Sequence, residues 1–199
     1  MEEELMFRII FVVTFSIFAV VRIYFRSKTI GRESEKEESL LDKPEGFLSV
    51  VIIAFFIMIF LYLVFPNLVF WAHLDFPIFI RWSGLILDII SILLLIWIHQ
   101  TLGKQYSAKL EIQMEHVLIE TGPYKKIRHP MYTVFMSFTL GLAILSSNAI
   151  MFILAILIAI PFHWITKKEE RMLTEQFGEE YKSYMKRTGR FIPSFQRKD

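Results

Sequence analysis

The sequence predicts an all-α, polytopic integral membrane protein with about five transmembrane helices and a cytosolic C-terminal helix. Three observations carry that prediction. Hydrophobic residues make up 54% of the 199-residue chain, above the roughly 45–50% of a soluble domain. The excess is gathered into long apolar blocks. Lys and Arg alternate between the connecting segments: five in 26–46, none in 66–77, five in 102–128, none in 146–148 and nine in 166–199. By the positive-inside rule, that alternation places the N-terminus outside and the C-terminus in the cytosol.

The spans follow in order. Leu5 to Phe25 is the first, with Arg8 and Arg22 near its ends, where long side chains can snorkel to the interface. Residues 27–46 form a mixed-charge linker, and the Glu/Lys run at 33–38 within it reads as a solvated face. Phe47 to Phe65 crosses without a charge. Pro66-Asn67 ends it, and an aromatic loop (Phe70, Trp71, Phe76) suits the interfacial belt. Ile78 to Ile98 is the third span. It carries Asp88 near its middle, a carboxylate that either serves a function or pairs with an Arg or Ser of a neighbouring helix.

Residues 102–128 are the longest loop able to hold a site, with a weak strand-like alternation over 109–113. His129 to Leu145 and Asn148 to Ile165 read as a helical hairpin around Ser146-Ser147-Asn148. Pro161 inside the second arm should kink it, because proline removes a hydrogen bond to the carbonyl four residues back. Thr166 to Arg190 reads as a polar helix with Leu173, Phe177, Tyr181, Tyr184 and Met185 at spacings of three and four. Gly178 weakens it, and Gly189 with Pro193 ends it. By this division residues 1–101 are a three-span anchor region and 102–199 a catalytic region.

Composition also excludes. The chain has no cysteine, so disulfides, zinc–thiolate sites and a thiol nucleophile are ruled out. The formal net charge of +2 carries little information, and no nucleic-acid partner is expected. No Gly-rich phosphate loop, internal repeat or metal-ligand spacing is visible, so no metal is expected. The acidic start is unlike a signal peptide. His73 and His163 read as interfacial or packing residues.

The chemistry concentrates at Gly122-Pro123-Tyr124-Lys125-Lys126-Ile127-Arg128-His129-Pro130-Met131-Tyr132. Gly122 can take φ > 0, and the two prolines fix the backbone around a polar cluster at the head of an apolar run. Lys125 and Lys126 read as loop solvation or lipid headgroup contacts. Glu169 and Glu170 fall on or beside the apolar stripe of the last helix, where a charge needs a partner. The hairpin brings both segments to one membrane face.

Those residues carry a family resemblance. Gly103-Lys104-Gln105-Tyr106-Ser107, His116-Val117-Leu118-Ile119, Gly122-Pro123-Tyr124, Arg128-His129-Pro130-Met131-Tyr132, Glu169-Glu170 and Phe177-Gly178-Glu179-Glu180-Tyr181, closing at Ile192-Pro193, resemble the isoprenylcysteine carboxyl methyltransferase family. That family lies within a wider group that includes phospholipid methyltransferases. The resemblance covers about residues 103–193. It implies S-adenosylmethionine as methyl donor, with S-adenosylhomocysteine as product. His116, Val117, Leu118 and Ile119 would line the donor. Tyr124 and the block His129, Pro130, Met131 and Tyr132 would complete its pocket, and Glu169 would reach it from the last helix. Arg128, His129 and Glu169 are the expected catalytic residues. Arg128 could pair with the donor's carboxylate, and the tyrosines could stack on adenine or face the sulfonium.

The expected acceptor is a lipophilic, prenylcysteine-like carboxylate entering from the bilayer, near the kink at Pro161, at the cytosolic face. A carboxylate needs no general base, whereas a lipid amine would need one from His129, Glu169 or Glu170. The alternatives are a phospholipid amine N-methyltransferase, a sterol-reductase-like NADPH enzyme, or a non-enzymatic membrane module built around Asp88.

Overall fold

The computed structural model describes residues 2–28, 43–102 and 118–194. Helix α1 (Glu2–Ser27) opens with Glu2, Glu3 and Glu4 and closes with Arg26, charges that complement the helix dipole at each end. Helix α2 (Lys43–Val64) follows. Pro66 then starts the short α3 (Pro66–Val69), which leads into a 3-10 turn at Phe70–Ala72. The expected aromatic loop is therefore partly helical, with Phe70 and Trp71 more than 70% exposed. Helix α4 spans Ile78–Leu102.

Helix α5 (Pro130–Ser146) has Pro130 in its first turn, where a missing N–H costs nothing. Ser147 ends α5 in the left-handed region, at φ 50°. Asn148 then caps α6 (Ala149–Leu157), its side chain accepting from the Ile150 and Met151 amides. Helix α7 (Ala159–Phe177) continues almost directly. The break falls at Ile158, and the carbonyl that Pro161 cannot reach is that of Leu157. Ile158 itself keeps α-region backbone, at φ −63° and ψ −23°, and Ala149–Phe177 together form one span-length run, so what the structure shows is an interruption of the helix ahead of the proline. Gly178, at φ 56°, separates α7 from α8 (Glu179–Arg187), so the single polar helix expected over 166–190 is two.

Four helical runs are long and apolar enough to cross a membrane: Glu2–Ser27, Gly46–Val64, Ile78–Leu102 and Ala149–Phe177. The shorter apolar helix Pro130–Ser146 pairs with the last of them as the hairpin's first arm. The protein is thus a multi-pass, all-α membrane protein. The linker run at 33–38 and the alternation at 109–113 lie outside the described residues.

Between lipid-exposed helices the hydrophobic effect supplies little, so close backbone approach does the work. Helices α4 and α5 cross at Gly84 and Gly141. A Cβ added to Gly84 would lie 2.7 Å from the Gly141 carbonyl and 2.8 Å from the Leu145 amide. Asp88, one turn along α4, is fully buried and fills the space beside Gly141, whose added Cβ would meet Asp88 Oδ1 at 2.0 Å. Neither oxygen of Asp88 has a hydrogen-bond partner among the described residues, so the Arg or Ser pairing is not what holds it there.

Helix α1 docks on this pair through Phe7, Phe11 and Phe18, with Phe18 stacked on Phe138 of α5 at 3.7 Å. At one end of the bundle Arg81 of α4 ties to Glu4 of α1 and donates to the Leu145 carbonyl of α5. At the other end Arg22 of α1 lies 3.2 Å from His99 Nε2. One apolar core thus draws on helices from both sides of residue 101.

The crossing has a measurable consequence. Gly84→Ala puts a methyl group against two backbone atoms that no rotamer change can move. It should cost roughly 1–3 kcal/mol, read as a lowered thermal unfolding midpoint in detergent, whereas a lipid-facing change such as Leu93→Ala should leave the midpoint close to wild type.

Candidate functional site

The site begins with backbone. Gly122 takes φ 56° and starts a 3-10 turn at Gly122–Lys125. That turn aims the following residues at the C-terminal tail. The Arg128 amide donates to the Gly189 carbonyl (2.8 Å), the His129 amide to the Arg190 carbonyl (3.1 Å), and the Gly189 amide to the Lys126 carbonyl (3.1 Å). Residues 126–129 and 189–190 therefore run side by side. Gly189 is obligatory there, since a Cβ would sit 1.7 Å from the Ile192 carbonyl oxygen. Thr133 Oγ1 adds a bond to the Phe191 carbonyl at 2.8 Å, and Tyr184 Oη of α8 donates to the Tyr124 carbonyl at 2.6 Å.

This pairing brings the head of α5 against α7. Adjacent helical residues point about 100° apart, so Glu169 and Glu170 reach His129 from two sides. Glu169 Oε2 lies 3.1 Å from Nδ1, and Glu170 Oε1 lies 3.4 Å from Nε2. The second distance is that of an ion pair without hydrogen-bond alignment. Tyr132 Oη donates to Glu169 Oε1 at 2.6 Å. Arg128 Nε donates to Glu170 Oε1 at 2.8 Å, and its Nη1 donates to the carbonyls of Met185 and Thr188. Arg190 Nε donates to Glu170 Oε1 at 3.1 Å, and its Nη2 pairs with Oε2.

The two carboxylates thus differ sharply. Glu170 is 8% exposed and gripped by both arginines, whereas the Glu169 side chain is 20% exposed and receives Tyr132 and His129. For His129, burial pushes toward the neutral form, but the hydrogen bond with Glu169 and the charges of both glutamates outweigh it and raise the imidazole above its ordinary value of 6.5.

The structure brings together Arg128, His129, Tyr132 and Glu169, as the sequence indicated. Pro130 is buried beneath them. Tyr124 and Met131 pack against the main apolar core, and Leu118 and Ile119 lead half-buried into the turn. His116, Val117 and the segment 103–107 lie outside the described residues. The guanidinium expected to meet a donor carboxylate is engaged by Glu170 and tail carbonyls at Nε and Nη1. Arg190 went unrecognised as a site residue. Its only sequence signal was its place beside Gly189, at the end of the resembling stretch.

Beside the charged cluster lies an apolar one. Phe162 of α7 contacts the Tyr132 ring at 4.8 Å and packs with Val51 of α2, Ile158 at the helix break and Phe191 of the tail.

Residues 79–180 match the phospholipid methyltransferase family. Over 187 residues the chain is 25% identical to the protein-S-isoprenylcysteine O-methyltransferase of Saccharomyces cerevisiae, covering 92% of this chain and 78% of that one. Over 74 residues it is 36% identical to the methanethiol S-methyltransferase of Pseudomonas deceptionensis, covering 37% of this chain and 28% of the relative. Its fold is similar to that of a eukaryotic intramembrane Ras methyltransferase, an isoprenylcysteine carboxyl methyltransferase, with a TM-score of 0.59 at 19% identity over 92% of this chain and 67% of that one.

Two measurements check the cluster. Glu170→Gln leaves Arg128, Arg190 and His129 facing each other with one carboxylate fewer. Breaking a buried pair in this way costs about 3–5 kcal/mol, so the variant should unfold at markedly lower temperature in detergent than Glu169→Gln. The second concerns pH. A histidine raised in the fold contributes stability that is complete below its unfolded value and is lost as pH rises through the folded value. Wild-type thermal stability should therefore fall as pH climbs above 6.5, and His129→Gln should flatten that part of the profile.

Proposed function

Because this chain belongs to the phospholipid methyltransferase family, and so is a membrane methyltransferase, we propose that it transfers a methyl group from S-adenosylmethionine to the carboxylate of a lipophilic, prenylcysteine-like acceptor at the cytosolic membrane face. The observation that carries the choice of acceptor is the state of His129. Its two ring nitrogens face the carboxylates of Glu169 and Glu170, which raise its pKa above the ordinary 6.5 and bias the imidazole toward the cation, away from the role of proton acceptor. Glu170 is neutralised by two guanidiniums, and Glu169 already accepts two hydrogen bonds. Among the described residues of the cluster, none is poised as a general base. A lipid amine would need one; a carboxylate arrives as an anion.

The residues present fit the donor. Glu169 is the partly exposed carboxylate of the cluster, able to accept from ribose hydroxyls or an ammonium group, with Tyr132 and His129 fixing its rotamer. The bound donor would supply an electrophilic methyl group on a sulfonium. The chain's own work is alignment and exclusion of water. In this reading Glu169, His129 and Tyr132 face the donor. Arg128 and Glu170 position them by locking the tail onto the head of α5. Leu118, Ile119, Tyr124 and Met131 approach from the turn, and His116 and Val117 are assigned to the same wall on the resemblance. The acceptor's chain enters laterally by the apolar cluster at the α6–α7 break.

By the positive-inside rule, the distribution of basic residues supports a cytosolic position for this face and an N-terminus outside. The reading of the acceptor is supported by the Saccharomyces cerevisiae relative, whose name specifies an isoprenylcysteine acceptor across most of this chain's length. The test is a side-by-side assay with methyl-labelled donor. N-acetyl-farnesylcysteine should be labelled as a base-labile ester, while phosphatidylethanolamine should not. Label recovered in lipid amine, with none in the ester, would overturn the carboxylate reading.

A further inference from the structure

Arg190 has a nitrogen that the Glu170 clamp leaves over. Nε and Nη2 are committed to the carboxylate, and Nη1 lies 3.5 Å from Nδ1 of His163 on α7. The Arg190 side chain is 27% exposed, against 11% for Arg128, and His163 is exposed. Arg190 is therefore the arginine of the cluster that an incoming molecule can touch.

Its position matters as much as its exposure. The next residue, Phe191, drops into the apolar cluster of Val51, Ile158 and Phe162, beside the α6–α7 break. Along α7, His163 falls between Pro161, at that break, and Glu170, in the charged cluster. Arg190 and His163 thus stand on the border where a lipophilic molecule's polar end would emerge. The local charge balance does not oppose an anion, since the carboxylates of Glu169 and Glu170 are matched by the guanidiniums of Arg128 and Arg190, with the His129 ring between them.

We propose that Arg190, through Nη1 and with His163 beside it, binds the carboxylate of the acceptor and selects lipophilic acids over neutral lipids. This deepens the proposed function and rests on it for the identity of the acceptor. The tail strap gives the arginine its precision. Backbone bonds at Gly189 and Arg190 and the Thr133 bond to Phe191 hold its main chain, and Glu170 holds its guanidinium plane, so one donor is fixed toward the entry side before any acceptor arrives.

The experiment compares binding of N-acetyl-farnesylcysteine with that of its neutral methyl ester, in purified protein saturated with S-adenosylhomocysteine. Wild type should bind the acid about tenfold or more tightly than the ester, the scale of one hydrogen bond to a charged group. Arg190→Gln, which can still donate to Glu170, should erase that preference by weakening the acid alone. His163→Glu, a change on an exposed position, sets a competing carboxylate beside Nη1 and should weaken the acid while sparing the ester and S-adenosylhomocysteine. Equal weakening of acid and ester would mean that Arg190 is only structural, and an unchanged acid preference in either variant would overturn the proposal as well. Turnover separates the two readings. Acid bound selectively but never methylated sinks carboxyl methylation and leaves the Arg190 site standing. Acid methylated without any preference over the ester in binding does the reverse.

Discussion

The charged cluster at the head of α5 is held together by the carboxylate of Glu170. Its two oxygens gather Arg128 from the turn before α5, Arg190 from the tail and, at ion-pair distance, His129. A carboxylate this buried is expensive to desolvate, and the cost is offset only when its lone pairs are filled by well-placed donors. Here they are. The return is geometric: two guanidiniums pull segments some sixty residues apart in the chain into one pleat, in which residues 126–129 and 189–190 exchange backbone hydrogen bonds. The pleat then sets the entry angle of α5 and with it the direction of His129 and Tyr132. Glu169 stays partly open because its neighbour has absorbed the arginines.

The membrane half of the molecule obeys a different rule. Lipid is as apolar as leucine, so helices associate there by fitting closely and by hiding polar atoms. The Gly84–Gly141 crossing provides the fit, and Asp88 fills the space beside Gly141 that a side chain there would occupy. At the far end, Arg81 joins α1, α4 and α5 through Glu4 and the Leu145 carbonyl. The bundle is thus pinned at one face by an ion pair and in the middle by glycine. The face carrying the site is where α6 gives way to α7 and where apolar and charged clusters meet across Phe162 and Tyr132.

Much of this was legible in the sequence, for local reasons. Apolar blocks of crossing length announce spans by composition alone, and Pro130, Asn148 and Gly178 punctuate helices by their own stereochemistry. Pro161 announced the break, though it falls at Ile158, because proline disrupts the turn behind it. The coupling of His129 to Glu169 followed from hairpin topology. Arg190 and the division of labour between the glutamates were not legible. Both depend on the tail folding back on Arg128, a contact made by main-chain groups that every residue carries. The pairing of Asp88 with glycine rather than with Arg or Ser is likewise set by helix crossing, which one strand of sequence does not specify.

The absence of a poised base in the described cluster is a consequence of the same clamp and explains the chemistry it favours. A buried imidazole flanked by two carboxylates is biased toward the cation, and a carboxylate flanked by two arginines is a spent acceptor. A site built this way is poor at moving protons and good at holding fixed charges in place. Methyl transfer to an anion asks for that combination: no proton needs to leave, and the barrier falls through alignment of nucleophile and leaving group in a dry, preorganised field. In the proposed reading, burying Glu170 would serve catalysis indirectly. It would commit one carboxylate so that Glu169, Tyr132 and the guanidinium of the tail arginine keep a single geometry.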